Sequence, residues 1–394
     1  MAEDITIRIE DLFNRRRINT AIRMTAKCKT TVINDIKPSE LHKYWRENGN
    51  EILNSIYEET YQPKPQYCKK IPKDSGGTRL LMIPGTLDKM LQRVTAEGLY
   101  NFYEGQFSQY SYGFRKGKSV KDAVQECTNI INRGYRYVIY IDIKSFFDTV
   151  NHDVLRYILM QRISDSRIIH WIMKNIKAPI SNRQTGETRK IGISQGSPLS
   201  PCLANIYLNV LDEFLEYEGI PFIRYADDIT LFSEDKFSGR RYIKMVRDFL
   251  RRILKLEING EKTKIVLAED ASFLGFHFMK KGDNYALRIA DNNIKRHIDK
   301  LKKKLQEAEW ENGEILQELG DINRGWTEFY NWTDKDFLEN ILGKIDCMEY
   351  KYMRKEITDS SIWENSHFTF NMQWYRRSSG PRLVGYILRS IPVK

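Results

Sequence analysis

"FIRYADDITLF" (residues 222–232) sets two adjacent aspartates, Asp227 and Asp228, inside an otherwise apolar run. Strands disfavour Asp, and two like charges side by side repel. Either the run is not a strand, or the pair stands at a hairpin turn beside something cationic. A second run has the same construction: "YRYVIYIDIKSFFDTV" (135–150) is β-branched and aromatic up to Asp142, where a polar turn begins. Two such strands can lie side by side and present three carboxylates together. Unpaired, the carboxylates raise one another's pKa and cost stability. Two Mg²⁺ ions remove that penalty, an arrangement used by polymerases and nucleases. Taken alone, "YADD" also reads as an ordinary Asp-rich surface turn.

The bulk properties bound the alternatives. A chain of 394 residues implies two or three substructures, and 41% hydrophobic content can bury a large core. Net charge is +11, which points to a polyanionic partner such as nucleic acid. Residues 291–394 carry 17 basic and 17 acidic side chains, so the whole excess belongs to residues 1–290, around the aspartates. The five cysteines form no CxxC and no Cys/His cluster, which argues against structural zinc and suits a reducing cytosol. The N-terminus has no apolar signal region, and no run reaches the length of a membrane span. The expectation is a cytoplasmic protein with no membrane partner.

Coarse periodicity divides the chain. Residues 1–60 read as helices, with Leu41, Trp45, Ile52 and Ile56 at helical spacing after a Ser39 cap. Residues 61–84 read as two strands about "KDSGG"; helices are expected at 86–104, 117–133, 153–178, 201–218 and 236–255. From 291 the pattern is helical, with a stripe of Ile294, Ile298, Leu301 and Leu305. Strands with interleaved helices imply an α+β core.

Further motifs stand in a fixed order. "IPKDSGGTRLLMIP" (71–84), "QYSYGFRKGKSVKDAV" (109–124), "IYIDIKSFFDTVNHDVL" (139–155), "SQGSPLSPCLANIYLNVLDEFL" (194–215), "YADD", "INGEKTKIV" (258–266) and "FLGFHF" (273–278) resemble the successive boxes of reverse transcriptases. "HDVL", "PLSPCLANIYLN" and "INRGWTEFY" (322–330) resemble most closely the group II intron-encoded members, the maturases. The resemblance covers roughly residues 40–355. It implies a right-hand polymerase: an N-terminal helical extension (1–60), fingers (61–134), a palm with an antiparallel sheet and interleaved fingers elements (135–288), an all-helical thumb (289–360) and a basic tail (361–394). The sequence departs from the family in three places. "AKCKTTVIND" replaces a Gly-rich turn, Lys89 replaces an Arg, and no Cys/His endonuclease module follows the thumb.

The resemblance also implies roles. Asp142 and Asp227 hold two Mg²⁺ ions (Mn²⁺ as a substitute), Asp228 ligates weakly, and Ile143 contributes its backbone carbonyl. Lys73 and Arg79 clamp the triphosphate of a dNTP. Gln195 and Gly196 lie beneath nucleotide and template, and Lys264 touches the nucleotide or primer end. Leu274 and Gly275 form a primer grip. Phe147 matches the aromatic under the sugar that excludes a 2′-hydroxyl, while Phe146 packs the core. Ile322, Trp326, Phe329 and Tyr330 pack the thumb, and Arg376, Arg377, Arg382 and Arg389 give the tail an RNA-binding character. Partners implied are an RNA template, a cognate structured RNA, a DNA or RNA primer and dNTPs. Two further readings stay open: an antiphage-defence or CRISPR-associated reverse transcriptase copying a dedicated noncoding RNA, and an RNA-binding splicing cofactor.

Overall fold

The computed structural model of the chain describes residues 7–28, 35–72, 77–181, 190–308 and 314–356. Contacts divide the chain into two compact units, Met1–Val266 and Leu267–Lys394.

The first unit opens with α1 (Ile9–Leu12), α2 (Arg15–Ala26) and α3 (Leu41–Tyr57). Ser39 does not cap α3. A 3-10 turn, Pro38–Glu40, leads into that helix, and Glu40 holds the cap position without a side-chain bond. Proline presets the backbone of the turn, so the chain coils before the serine can act as a cap. The strands β1 (Tyr67–Pro72) and β2 (Thr78–Ile83) pair antiparallel, with Ile71 opposite Arg79. After them come α4 (Thr86–Tyr103), α5 (Val120–Asn132), β3 (Tyr137–Ile141) and the short α6 (Phe146–Thr149). The single helix expected over 153–178 is two, α7 (His152–Met160) and α8 (Ser166–Ile176). Asp165 accepts from Arg167 N and caps the second, a start signal that periodicity alone passes over.

Next come α9 (Ser200–Tyr217), β4 (Phe222–Tyr225), β5 (Asp228–Ser233), α10 (Lys236–Arg252) and β6 (Lys264–Leu267). The four strands β4-β5-β3-β6 form one sheet in that order, with β3 and β4 both antiparallel to β5. The helices α4 and α9 are buried along most of their length, the mark of helices apolar on nearly every side. Residues of one sheet face, Ile139, Ile141, Ile229 and Leu231, join Val246 and Leu250 of α10 in the core.

The second unit holds β7 (Ser272–Phe273), β8 (Phe276–Lys281) and β9 (Asn284–Ile289) in one antiparallel sheet. Three helices follow, α11 (Asp291–Gln306), α12 (Glu314–Tyr330) and α13 (Lys335–Glu356). The β8–β9 hairpin is an addition to the sequence reading, which drew its boundary at 288–289; the contacts part the chain earlier. On α11 the buried positions are Ile294, His297, Leu301 and Leu305, and Ile298 is half-buried. His297 is tolerated inside because Asn323 Oδ1 lies 2.9 Å from its Nε2 and Trp326 stacks on it at 4.4 Å. Of the α12 residues expected to pack this region, Tyr330 is buried, Ile322 and Trp326 are half-buried, and Phe329 is 45% exposed. The tail arginines lie outside the described residues.

Candidate active site

The hairpin between β4 and β5 is closed by the Tyr225–Asp228 pair, leaving Ala226 and Asp227 as a two-residue turn. Ala226 has φ +59°, at a position where such turns usually carry glycine. An L residue there costs about 1 kcal/mol, and a buried network holds it. The Arg224 side chain is fully buried with that of Asp212, its Nε donating to both Asp212 carboxylate oxygens at 2.8 and 3.0 Å. Its Nη1 donates to Asn205 Oδ1 at 2.8 Å and to Ala226 O at 3.0 Å. Asn205 Nδ2 in turn donates to Gly113 O at 2.9 Å. A Cβ on Gly113 would run into the Ala226 backbone, which is why glycine stands in "SYGF". Sequence reading passed over this set. Its trace was an arginine inside an apolar strand and, on α9, Asn205 and Asp212 two turns apart on one face.

Asp142 follows Ile141, the last β3 residue paired with β5, where its partner is Ile229. Asp142 and Asp228 therefore leave the same end of two paired strands, with Asp227 in the adjoining turn. The carboxylates sense one another. The Asp228 pKa is pushed up to about 6, first by the surrounding protein and then by Asp227 and Asp142, although the residue retains an exposed edge. The half-buried Asp227 is also raised, by burial and by Asp142, against a counteracting pull from Arg79. Lys262 Nζ stands 3.9 Å from Asp142 Oδ1.

The gathering expected from sequence is incomplete. Among the described residues no group of three or more His, Cys, Asp or Glu side chains is assembled closely enough to hold a metal ion. The donor chemistry nonetheless fits a hard divalent cation, since these are all-oxygen ligands under mutual repulsion. Ile143 is buried and bridges Ile258, between Asn259 N donating to Asp142 O (2.7 Å) and Lys144 N donating to Glu257 O (2.8 Å).

Other expected site residues join this unit through backbone links. Met82 N on β2 donates to Gln195 O at 2.7 Å. Gly196 has φ +106°, and a Cβ there would stand 3.0 Å from Met82 O, so the loop and β2 meet as closely as glycine permits. Arg79 lies on that strand, exposed; Lys73 lies outside the described residues. The Gln195 Oε1 atom is buried without a hydrogen-bond partner. Beneath the loop, Ser194 Oγ donates to Gln66 Oε1 (2.6 Å) and Ser197 Oγ to Gln92 Oε1 (2.8 Å). Both glutamines reach Asn175 on α8. Ile193 N donates to Phe147 O at 2.7 Å, tying the same loop to the turn after β3. The Phe147 side chain is half-buried; Phe146 is 2% exposed, its ring 5.3 Å away at 77°. Lys264 is exposed, with Nζ 5.6 Å from the Tyr140 ring. Leu274 and Gly275 belong to the second unit, at φ +49° and +89°. Ala290 N donates to Gly275 O at 3.0 Å.

Comparison with known proteins gives one family. The description "Reverse transcriptase (RNA-dependent DNA polymerase)" matches residues 71–278. Protein YkfC of Escherichia coli is 29% identical over 302 residues, 65% of this chain and 78% of that protein. The group II intron-encoded protein LtrA of Lactococcus lactis is 27% identical over 327 residues, 66% of this chain and 52% of its own length. The retron Mx65 reverse transcriptase of Myxococcus xanthus is 30% identical over 211 residues, 50% of this chain and 46% of that protein. The chain thus spans about half the length of the latter two. No helix among the described residues is long and apolar enough to cross a membrane.

Proposed function

This chain belongs to the reverse transcriptase (RNA-dependent DNA polymerase) family, and from that premise we propose that it extends a primer 3′-hydroxyl with dNTPs on an RNA template, using two Mg²⁺ ions. The supporting observation is that Asp227 and Asp228, their carboxyls raised by burial and by neighbouring carboxylates, stand with Asp142 at one end of two paired strands. Raised carboxyls that end two paired strands beside a further carboxylate are explained by a cation that relieves them. Bound there, the two ions supply activation of the primer hydroxyl and neutralisation of charge on the departing pyrophosphate.

Asp142 and Asp227 hold the ions with the Ile143 carbonyl, and Asp228 takes a weaker share. Arg79 and Lys73 grip the triphosphate as paired cations. The unpartnered Gln195 amide oxygen accepts a donor from nucleotide or template, while Gly196 lets that ligand approach the backbone. Phe147 floors the sugar pocket and leaves no space for a 2′-hydroxyl. Lys264 touches the nucleotide or primer end, and Leu274 with Gly275 steadies the primer. The group II intron-encoded relative supports a structured RNA of that type as the cognate partner.

The test is Asp227→Asn in a primer-extension assay. Nucleotide incorporation falls about a thousandfold or more, with RNA binding retained within a few-fold. Full activity in the variant overturns the site assignment.

A further inference from the structure

One charged surface of the first unit lies away from the carboxylates. From Lys236 to Lys255 the chain carries eight basic residues and one acid, Asp248, a net +7 against +11 for the whole protein. Five of them, Lys236, Arg240, Lys244, Arg247 and Arg251, follow one another on α10 at intervals of four, four, three and four residues. At helical pitch that places them on one line about 22 Å long. All five are exposed, and among the described residues none forms an ion pair.

Two cations of α11 show the usual compensation. On α11, Lys303 pairs with Glu307 and Lys304 with Glu318. Acids three or four residues from a cation normally stabilise a helix, and like charges at that spacing destabilise it by a few tenths of a kcal/mol per pair. Along α10 cation follows cation at that spacing from Lys236 to Arg251, and Asp248, the one acid within reach of the line, forms no ion pair with it among the described residues.

The line also faces away from the carboxylates. A Cβ on Gly239 would touch Ser233, Ile265 and Ile139 side chains, and Val246 and Leu250 are buried, so α10 covers the Ile139 face of the sheet. Strand alternation puts Tyr140 and Asp142 on the other face, with Asp228 beside them.

We infer that the exposed face of α10 is a second nucleic-acid site, which binds the phosphate backbone of a double-stranded RNA stem outside the polymerase cleft. Single strands are bound on aromatic platforms. On α10 only Phe237, at one end, is an exposed ring, so a paired stem whose bases stay stacked is the better match. The line of cations fits a continuous row of phosphates and reads no sequence. The choice of RNA over DNA rests on the proposed reading of the chain as an enzyme that copies RNA; the charge argument stands without it.

The decisive variant, in the full chain, is the quadruple Arg240→Gln, Lys244→Gln, Arg247→Gln, Arg251→Gln, glutamine being a good helix former. The probe is a fully paired RNA stem closed by a loop, titrated across salt concentrations. The expected result is a log K against log salt slope shallower by about 3 and an affinity at least about tenfold weaker at physiological salt. Extension of a primer on a short unstructured RNA template stays within about twofold of the parent. The pair Lys244→Gln, Arg247→Gln gives about half the slope change and serves where the quadruple misfolds.

Unchanged stem affinity and slope in the folded variant overturn the inference. So does equal loss on a DNA duplex that the parent binds as tightly as RNA. So does loss of binding to phosphatidylserine-containing vesicles with stem binding intact. A parent that binds the stem but extends no primer removes the polymerase reading and leaves the α10 site standing.

Discussion

Both units contain a buried polar network, and the two end in different places. In the first unit, Asp212, Arg224 and Asn205 converge on the carbonyl of Ala226, a residue held at φ +59°, and so fix a turn whose carboxylates reach solvent. In the second, His297, Asn323 and Glu349 form a chain that ends inside the helices, with Glu349 Oε2 buried and unpartnered. Both contain a carboxyl displaced upward, Asp228 to about 6 and Glu349 to about 8. The larger displacement is not at the candidate site. Burial dominates both, but only at Asp228 do two further carboxylates at a solvent edge add to it, whereas Glu349 has one weak acidic neighbour, Asp346. What distinguishes a chemical site is therefore the destination of the network and the company of the carboxyl, more than the size of a shift.

The comparison breaks most directly at Arg224. Arg224→Leu leaves Asp212 charged and unpaired in the interior, and removing one partner of such a pair costs about 3–5 kcal/mol. Denaturant unfolding of that variant measures the loss. Arg224→Lys keeps a cation beside Asp212 but has no planar fork to reach Asn205 and Ala226 as well. It is expected to recover most of the stability and still lose at least about tenfold in primer extension. Parental activity in a folded Arg224→Lys protein would show that the turn holds itself.

A smaller, more selective effect is expected at Phe147. Phe147→Val opens the proposed sugar floor, so discrimination between dNTPs and NTPs should narrow by about tenfold or more, with a lesser loss on dNTPs. Phe146→Val removes a side chain only 2% exposed and should lower stability by about 1–3 kcal/mol without changing sugar choice. Single-nucleotide extension with matched dNTP and NTP separates the two. An unchanged ratio in active Phe147→Val protein returns that residue to the core.

Legibility in the sequence followed the range of the signal. The β4–β5 hairpin and β3 were readable because an apolar run that ends in an acid is a local pattern, and local patterns survive folding. The order of the boxes was readable only through the resemblance to a known family, which carries the succession of motifs and not their packing. The split of α7 from α8 turned on one capping aspartate, and the start of α3 on one proline, both overridden by the stronger helical period. The support of the turn was hidden because Arg224 finds Asp212 and Asn205 only through the packing of a strand on a helix. His297 in the α11 stripe was hidden likewise, since an imidazole joins a core only when its partner is in place. The three carboxylates were read as a gathered set; the strands align them, but their side chains are not assembled around a common point.

The smallest expected effect on catalysis belongs to Glu349, and it sharpens the comparison by being visible only in stability. In the folded chain its carboxyl titrates at about 8, above its ordinary 4.5, because burial disfavours the charge. The folded state keeps a proton that the unfolded state releases, so this contribution is complete below the ordinary carboxylate range and fades as pH rises to about 8. His297 acts in the opposite sense. Its pKa is lowered to about 4 from 6.5, again by burial, so its contribution is complete above 6.5 and is lost as pH falls toward 4. Between about 4.5 and 6.5 the two slopes oppose each other, and from there to about 8 only the Glu349 slope remains. Glu349→Gln keeps an acceptor for Asn323 Nδ2 and cannot titrate. In that variant the fall in stability between about pH 6.5 and 8 should disappear, while primer extension matches the parent. Denaturant midpoints of parent and variant across that range test this. A parental slope surviving above 6.5 would show that Glu349 is not the proton's holder; lost extension in a stable variant would show that the second network serves chemistry after all.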